Sequence, residues 1–98
     1  MYKVTVLYKH PTDAATFEKY YSETHYPIAA QIPNVDKMEL TVFSLSPMGQ
    51  PDFYRMAELY FASEEVMMAS LASAEGQAAA NDIPNFATGG FHFLLGKA

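Results

Sequence analysis

Apolar and polar residues alternate with a period of two in three parts of the chain, as they do in β-strands whose two faces meet different surroundings. The pattern predicts strands at residues 2–9, 37–45 and 53–61, and a short apolar run predicts a fourth at residues 91–95. Thr12 or Asp13 is suited to cap a first helix, which is predicted to run to about Thr24. A second helical segment is predicted to start at Ser63, with a further start at Ser73 before the run EGQAAANDI. The predicted order is therefore β-α-β-β-α-β.

This order is that of a split βαβ domain, in which two helices cover one face of a four-stranded antiparallel sheet. We expect one α+β domain that spans residues 1–98. The uncovered face is expected to be apolar, with contributions from Tyr2, Val4, Val6, Met56 and Tyr60. Because a large apolar surface is seldom left in water, the sequence predicts a homodimer joined through its sheet faces.

The first predicted helix carries ionisable side chains on the face that should point inward. At about 100° per residue, Tyr20, Tyr21 and His25 fall on one arc together with Phe17 and Thr24. Tyr21 and His25 are four residues apart, so the phenol and the imidazole should be neighbours. An ordinary core would place Leu or Ile at these positions, and the arc is therefore a candidate functional site.

Pro27 follows this arc and should interrupt the helix. It has no backbone N–H and disfavours helical geometry at the preceding residue, Tyr26. We therefore expect a bend near His25, followed by a further turn through Gln31.

The composition excludes several classes of function. The net charge of −5 repels phosphate backbones and anionic lipid surfaces, so we expect neither nucleic acid nor membrane as a partner. The chain has no cysteine and no continuous apolar segment typical of a signal peptide, and we expect a cytoplasmic protein. Three separate histidines give no metal-ligand spacing, and no metal site is expected.

Three segments together resemble the EthD family, a branch of the dimeric α/β-barrel superfamily. They are LYKHPTDAATFEKYYSETHYPIAAQIPN, FYRMAELYFAS and SAEGQAAANDIPNFATGG. The first contains the tyrosine-rich helix and the H-x-P element of the family, although Asn34 stands where the family usually has Gly. Asn tolerates a positive φ better than most residues, so the turn should survive. The resemblance implies a ferredoxin-like protomer, a homodimer whose sheets form a barrel, and a pocket between sheet and helices.

The resemblance also implies candidate site residues. In the related methylmuconolactone isomerases, a histidine and a tyrosine of the corresponding helix lie in the active site, and they match His25 and Tyr21. A second histidine of those isomerases has no counterpart in the middle of this chain. Phe17, Tyr20, Thr24 and Ile28 are expected to contact the ligand.

Two functional hypotheses follow. In the first, the protein is an enzyme of oxidoreductase or isomerase type, of a family linked to ethyl tert-butyl ether degradation, that acts on a small, largely apolar organic molecule. His25 is its acid or base, and Tyr21 orients His25 or donates to an oxyanion. In the second, it is a non-catalytic ligand-binding or accessory module that supports a catabolic oxygenase. His25 then caps the broken helix, and Tyr21 is an ordinary half-buried tyrosine.

No cofactor is expected under either hypothesis, and haem bound through His25 is a distant third alternative. Glu58 on the third strand faces either the barrel or the pocket, and a structural role at the interface is favoured for it.

Overall fold

The computed structural model describes residues 1–98, which form one antiparallel sheet covered by helices on one face. Its strands are β1 (Tyr2–Lys9), β2 (Lys37–Val42), β3 (Phe53–Phe61) and β4 (Phe91–Lys97). Its α-helices are α1 (Ala14–Tyr20), α2 (Tyr26–Ala29), α3 (Glu64–Ala72) and α4 (Ala74–Asp82). The strand order is β2-β3-β1-β4, which confirms the predicted ferredoxin-like α+β fold. None of the helices has the length and apolar character needed to cross a membrane.

Three of the helices begin at a side-chain cap, in each case at a residue that the sequence indicates. The carboxylate of Asp13 accepts hydrogen bonds from the backbone N–H groups of Ala15 and Thr16. Ser63 caps α3 in the same way, and Ser73 ends α3 and caps α4. Each cap satisfies amide groups that would otherwise lack a partner in the first helical turn.

A five-residue π-helical turn, Tyr21–His25, joins α1 to α2 without a break. Tyr26 is helical, with φ −57° and ψ −46°, and its N–H donates to the carbonyl oxygen of Tyr21, five residues earlier. The expectation that Pro27 ends helical geometry at Tyr26 is therefore wrong. In an α-helix, a backbone carbonyl group would occupy the space of the proline ring. The wider π-helical turn leaves this space free, so the helix continues past Pro27 instead of ending.

The helices cover the face of the sheet that carries Val4, Val6 and Tyr8, which are all nearly inaccessible to solvent. The cross-strand partners of Val4 and Val6 on β3 are Leu59 and Ala57, which are buried with them. The prediction that Tyr2, Val4 and Val6 lie on the uncovered face is therefore wrong. A period of two fixes which residues share a face, but not which face the helices cover.

A bulge in β3 changes the direction of two aromatic side chains. Tyr8 pairs with Arg55 and Lys9 with Phe53, so Tyr54 is the extra residue. Tyr54 contacts Phe17 on the helix side, whereas Phe53 contacts His92 on the open side. Strict alternation along β3 assigns both rings to the wrong faces, because a bulge adds one residue without a partner.

The uncovered face contains Met56 and Tyr60, as predicted, together with more polar residues than predicted. Glu58 lies on this face and accepts a hydrogen bond of 2.7 Å from the ammonium group of Lys3. Lys3 and Lys37 both lie against the ring of Tyr60, at 5.5 and 4.5 Å from its centroid. The register thus places Glu58 away from the helices, with a salt bridge as its main contact.

Gly76 allows α4 to approach the end of α3, and we expect Gly76→Ala to destabilise the fold. A Cβ atom at this position would lie 2.2 Å from the carbonyl oxygen of Ser70, which is backbone and cannot turn away. Overpacking of this kind costs about 1–3 kcal/mol or more. Urea unfolding measures the loss. The control is Gly96→Ala on β4, where nothing lies within 4 Å of the added atom; equal effects of the two substitutions would contradict the packing argument.

Candidate active site

A cavity of about 40 Å³ lies between the helices and the sheet, and His25 is on its wall. Fifteen of its 17 lining residues are hydrophobic, and the other two are His25 and Gly76. Three of the hydrophobic lining residues are tyrosines, Tyr8, Tyr21 and Tyr26. An imidazole and three phenols are therefore its only polar side chains.

The imidazole of His25 is held by a carboxylate on another helix. Its Nδ1 donates a hydrogen bond of 2.9 Å to Oδ2 of Asp82, the last residue of α4. His25 is 5% exposed and Asp82 is 8% exposed, so the pair is almost entirely shielded from water. Because an ionised carboxylate can only accept, this contact assigns the ring proton to Nδ1 and leaves Nε2 with a free lone pair. Nε2 has no hydrogen-bond partner within the chain.

Burial and hydrogen bonding have opposite effects on the pKa of His25, and also on the pKa of Asp82. Burial lowers the pKa of His25 below its ordinary value of 6.5, although the hydrogen bond to Asp82 opposes this effect. Burial alone would raise the pKa of Asp82, but hydrogen bonds from Tyr20, Asn85 and His25 outweigh it and hold that pKa low. At neutral pH the pair is therefore an ionised carboxylate and an uncharged imidazole.

The second oxygen of Asp82 is also occupied. The hydroxyl group of Tyr20 donates to Oδ1 at 2.6 Å, and the side-chain amide of Asn85 donates to the same oxygen at 3.0 Å. These contacts connect α1, α4 and the 3₁₀ turn Ile83–Asn85 that follows α4. Both oxygens of the buried carboxylate thus have partners, as a buried charge requires.

Tyr21 lies beside His25, as the sequence predicts, and contacts a cation on its other side. The ring centroids of Tyr21 and His25 are 5.5 Å apart, and the guanidinium carbon of Arg55 lies 4.5 Å from the Tyr21 centroid. Glu18 pairs with Arg55, which is itself buried. Burial raises the pKa of Tyr21 to about 12, against the lowering effect of Arg55. Tyr21 is therefore a proton donor at neutral pH.

Of the six residues predicted from the sequence, His25 and Tyr21 line the cavity and the other four do not. Phe17 is buried among the rings of Tyr8, Tyr54 and Phe86, and Thr24 is exposed. Tyr20 contacts Asp82 outside the cavity wall. Ile28 lines an outer groove between α2 and α4. For Thr24 and Ile28 the wheel of 100° per residue fails because they lie within and after the π-helical turn, which changes the angle between residues. Phe17 and Tyr20 precede that turn and pack beside the cavity rather than on its wall.

Asp82 is the residue of the candidate site that was not predicted from the sequence, although a signal was present. An acidic side chain at the end of a helix opposes the negative end of the helix dipole, and no basic residue lies in the last turn of α4. Asp82 also follows Gly76 and Ala79 at intervals of three residues, and all three are buried. A carboxylate on the inward side of an otherwise small and apolar helix indicates a specific partner. No cluster of three or more His, Cys, Asp or Glu side chains suited to a metal ion is present.

The antiparallel sheet with helices on one face defines a ferredoxin-like α+β protein, with a histidine on the wall of its internal cavity and a buried carboxylate behind it. The sequence model of the EthD domain matches residues 9–90. The chain therefore belongs to the EthD family.

Similar proteins include both sequence relatives and solved structures. An uncharacterized 11.0 kDa protein from the thcB–thcC intergenic region of Rhodococcus erythropolis is 42% identical over 95 residues, which are 97% of this chain and 92% of the relative. The crystal structure of an ethyl tert-butyl ether degradation (EthD) family protein from Bacillus halodurans is 33% identical. It has a TM-score of 0.94, with 100% of this chain and 98% of that one covered.

Two more distant structures share the fold. SnoaB of Streptomyces nogalater, described as a cofactor-independent oxygenase, is 16% identical with a TM-score of 0.65, over 99% of this chain and 90% of that one. A dimeric ferredoxin-like protein from Thermobifida fusca is 10% identical with a TM-score of 0.72, over 99% and 90% of the two chains.

We expect the free energy of unfolding to fall as the pH is lowered below about 6.5. The pKa of His25 is lower in the folded than in the unfolded chain, so the unfolded chain binds the proton first. This contribution is complete above the unfolded pKa and is lost as the pH falls towards the folded one. His25→Gln should flatten the curve in this range, as measured by urea unfolding between pH 4 and 8. The exposed His92 provides the control: a similar flattening in His92→Gln would contradict the assignment to His25.

Proposed function

We propose that this protein binds a small, uncharged, largely apolar organic molecule beside His25 and removes a proton from it without a bound cofactor. The observation that carries the proposal is the hydrogen bond between Nδ1 of His25 and Asp82, which leaves Nε2 as a base on an apolar wall. A base in this position needs no second catalytic histidine. The absence of a mid-chain histidine is therefore no obstacle to the proposal.

The surrounding groups suit this chemistry. When Nε2 accepts a proton, the imidazolium ion is stabilised by the carboxylate of Asp82 at its other nitrogen. Tyr8 and Tyr21 line the same cavity, and burial raises the pKa of both phenols, so they remain protonated and can donate to an oxyanion. Acid–base chemistry by one group of this kind typically contributes 10²–10⁴-fold in rate.

The size of the cavity limits the ligand. About 40 Å³ accommodates a few water molecules, so a carbon skeleton must displace part of the wall. Tyr26 and Phe93 line the cavity and are 44% and 37% exposed, which makes them the side chains best able to move. Haem is not part of this proposal.

The comparisons support a reaction without a cofactor only at the level of fold. SnoaB is described as a cofactor-independent oxygenase, and its fold is similar to that of this chain. Removal of a proton from carbon or oxygen is an early step of both cofactor-free oxygenation and isomerisation. The proposal therefore includes both the oxidoreductase and the isomerase hypotheses.

The Kemp elimination of 5-nitrobenzisoxazole tests for the base, because this planar probe needs only an apolar site and a proton acceptor. The base removes the C–H proton, the N–O bond breaks, and a coloured cyanophenolate is released. We expect turnover above the buffer rate, with a loss of roughly 100-fold in His25→Gln. Asp82→Asn should also lower the rate, since the imidazolium ion loses its carboxylate partner.

His10→Gln is the matched control, since His10 is exposed and bonds only to the carbonyl oxygen of Pro51. Far-ultraviolet circular dichroism confirms that each variant is folded. A rate in His25→Gln equal to that of the wild type would rule out His25 as the base.

A second candidate function is ligand binding without chemistry, possible because nearly the whole cavity wall is hydrocarbon. In that case the probe binds equally well to the wild type and to His25→Gln, as seen in amide chemical shifts, and neither protein converts it. The protein would then carry a ligand or support an oxygenase as an accessory module. Either role fits the cytoplasmic location expected from the sequence, which stays a prediction.

We also propose that two copies associate through the open sheet faces. Leu7 and Met56 are cross-strand partners on this face, and Leu94 on β4 is 51% exposed there. Solved structures of similar fold include proteins described as dimeric. An apolar patch at the centre of an open sheet is a surface that a second copy can cover.

Met56→Glu should weaken this association by about tenfold or more, because a carboxylate would be buried at the interface. Light scattering after size-exclusion chromatography measures the mass over a range of concentrations. Met68→Glu is the matched control, since Met68 is 50% exposed on α3, on the other side of the sheet. A wild-type protein that is monomeric at all concentrations tested would refute the proposal.

A further inference from the structure

Asp82 accepts hydrogen bonds on both oxygens, and the donors on its two oxygens differ in kind. Oδ2 faces the ring of His25, whereas Oδ1 receives the hydroxyl group of Tyr20 and the amide of Asn85. Tyr20 and Asn85 do not line the cavity that contains His25. Their hydrogen bonds therefore reach the site through the carboxylate.

The carboxylate needs these donors because its position is electrostatically unfavourable. It lies at the end of α4, where the helix dipole is negative, and the last turn of α4 has no basic residue. It is also withdrawn from water. Two uncharged donors stabilise the negative charge there without adding a cation that would compete with His25 for the carboxylate.

We propose that Tyr20 and Asn85 are positioning residues that fix Asp82 so that its Oδ2 holds Nδ1 of His25 and Nε2 stays directed to the cavity as the free base. Oδ1 is fixed by two donors from different elements, one on α1 and one on the 3₁₀ turn. The plane of the carboxylate, and with it the direction of Oδ2, is therefore set by contacts outside the cavity. This inference rests on the proposed role of His25 as the base.

The ring of Tyr20 is held independently of its hydroxyl group. It stacks on Phe86 with centroids 5.4 Å apart, and Phe86 is also 4.6 Å from the ring of His25. Tyr20→Phe therefore removes the donor and keeps the packing. The other ionisable groups that face His25 are Asp82 and the phenols of Tyr8, Tyr21 and Tyr26 on the cavity wall. The substitution replaces none of these groups, and its direct effect on them is the loss of one hydrogen bond to Asp82.

Nuclear magnetic resonance of ¹⁵N-labelled histidine tests the inference without a substrate. Above pH 6.5 the wild type should show a protonated Nδ1 and an unprotonated Nε2 at His25. In Tyr20→Phe the carboxylate loses one donor and becomes more basic, so it stabilises the imidazolium ion more strongly. We expect the titration midpoint of His25 to move upward by roughly 0.5.

Tyr54→Phe is the matched control. Tyr54 also donates its hydroxyl group to a carboxylate, Glu18 Oε2 at 2.8 Å, but it has no contact with Asp82 or His25. The His25 midpoint should stay unchanged in this variant. The signals of His10 and His92 in the same spectra report any general effect on the protein.

Asn85→Asp is the second variant, because it replaces a donor by a negative charge next to Oδ1. The His25 midpoint should rise further than in Tyr20→Phe. Midpoints equal to the wild-type value in both variants, even with reduced stability, would show that Tyr20 and Asn85 are merely structural and overturn the inference. Failure of the proposed function would look different: the midpoints would shift as expected, and the wild type would not convert the Kemp probe.

Discussion

Pro27 imposes the constraint on which the site depends. It cannot donate a backbone hydrogen bond, and its ring excludes the carbonyl group that an α-helix would place beside it. The chain responds with one wide turn, in which the N–H of Tyr26 reaches the carbonyl of Tyr21. The inward positions after this turn are His25, Ala29 and Ile32, while Thr24 points to solvent. The imidazole therefore faces the sheet because the helix continues through the proline, and not because it ends there.

A histidine placed in this way creates an electrostatic problem that a second part of the chain must solve. Burial disfavours its charged form, and a bare Nδ1–H would lack a partner. Asp82 supplies the partner from a position 57 residues later in the chain. Phe86, just after the same helix, contacts His25, Tyr20 and Tyr21 and fixes the end of α4 against α1. Aromatic packing and the polar network thus hold the same two elements together through different atoms of the same side chains.

These features explain which parts of the molecule the sequence could predict. Elements defined by local patterns were predicted closely: β1 and β3 have their predicted bounds, Ser63 and Ser73 cap helices, and Asn34 has the positive φ of 61° that its turn requires. Features set by non-local geometry were not. The face of β1 that the helices cover and the bulge at Tyr54 depend on contacts between distant segments, which periodicity does not contain. The π-helical turn is local, but a spacing of 100° per residue takes no account of it.

The same distinction between local and non-local features applies to the residues of the candidate site. His25 and Tyr21 could be found because they lie within one helix, four residues apart, where spacing determines proximity. Asp82 could not be paired with His25 from spacing, because only the packing of α4 on α2 brings them together. Ile28 was expected to contact the ligand but lines an outer groove. Thr24 was assigned to the site by a helical wheel, which assumes a constant angle of about 100° between successive residues. One wide turn was enough to make that assumption fail.

The histidine–carboxylate pair also determines which reaction the cavity can support. Before reaction, the enclosed site has one negative charge, on Asp82. If His25 takes a proton from a neutral ligand, the imidazolium ion and Asp82 cancel, and the negative charge is now on the ligand. The total charge of the site does not change, so the reaction separates charge over a short distance and does not bury an additional ion.

A ligand that is already an anion would add a second negative charge to an apolar enclosure with no cation free to balance it, since Arg55 is paired with Glu18. The electrostatics of the site therefore favour a neutral molecule with an acidic proton, and the phenols of Tyr8 and Tyr21 are placed to stabilise the anion that it leaves.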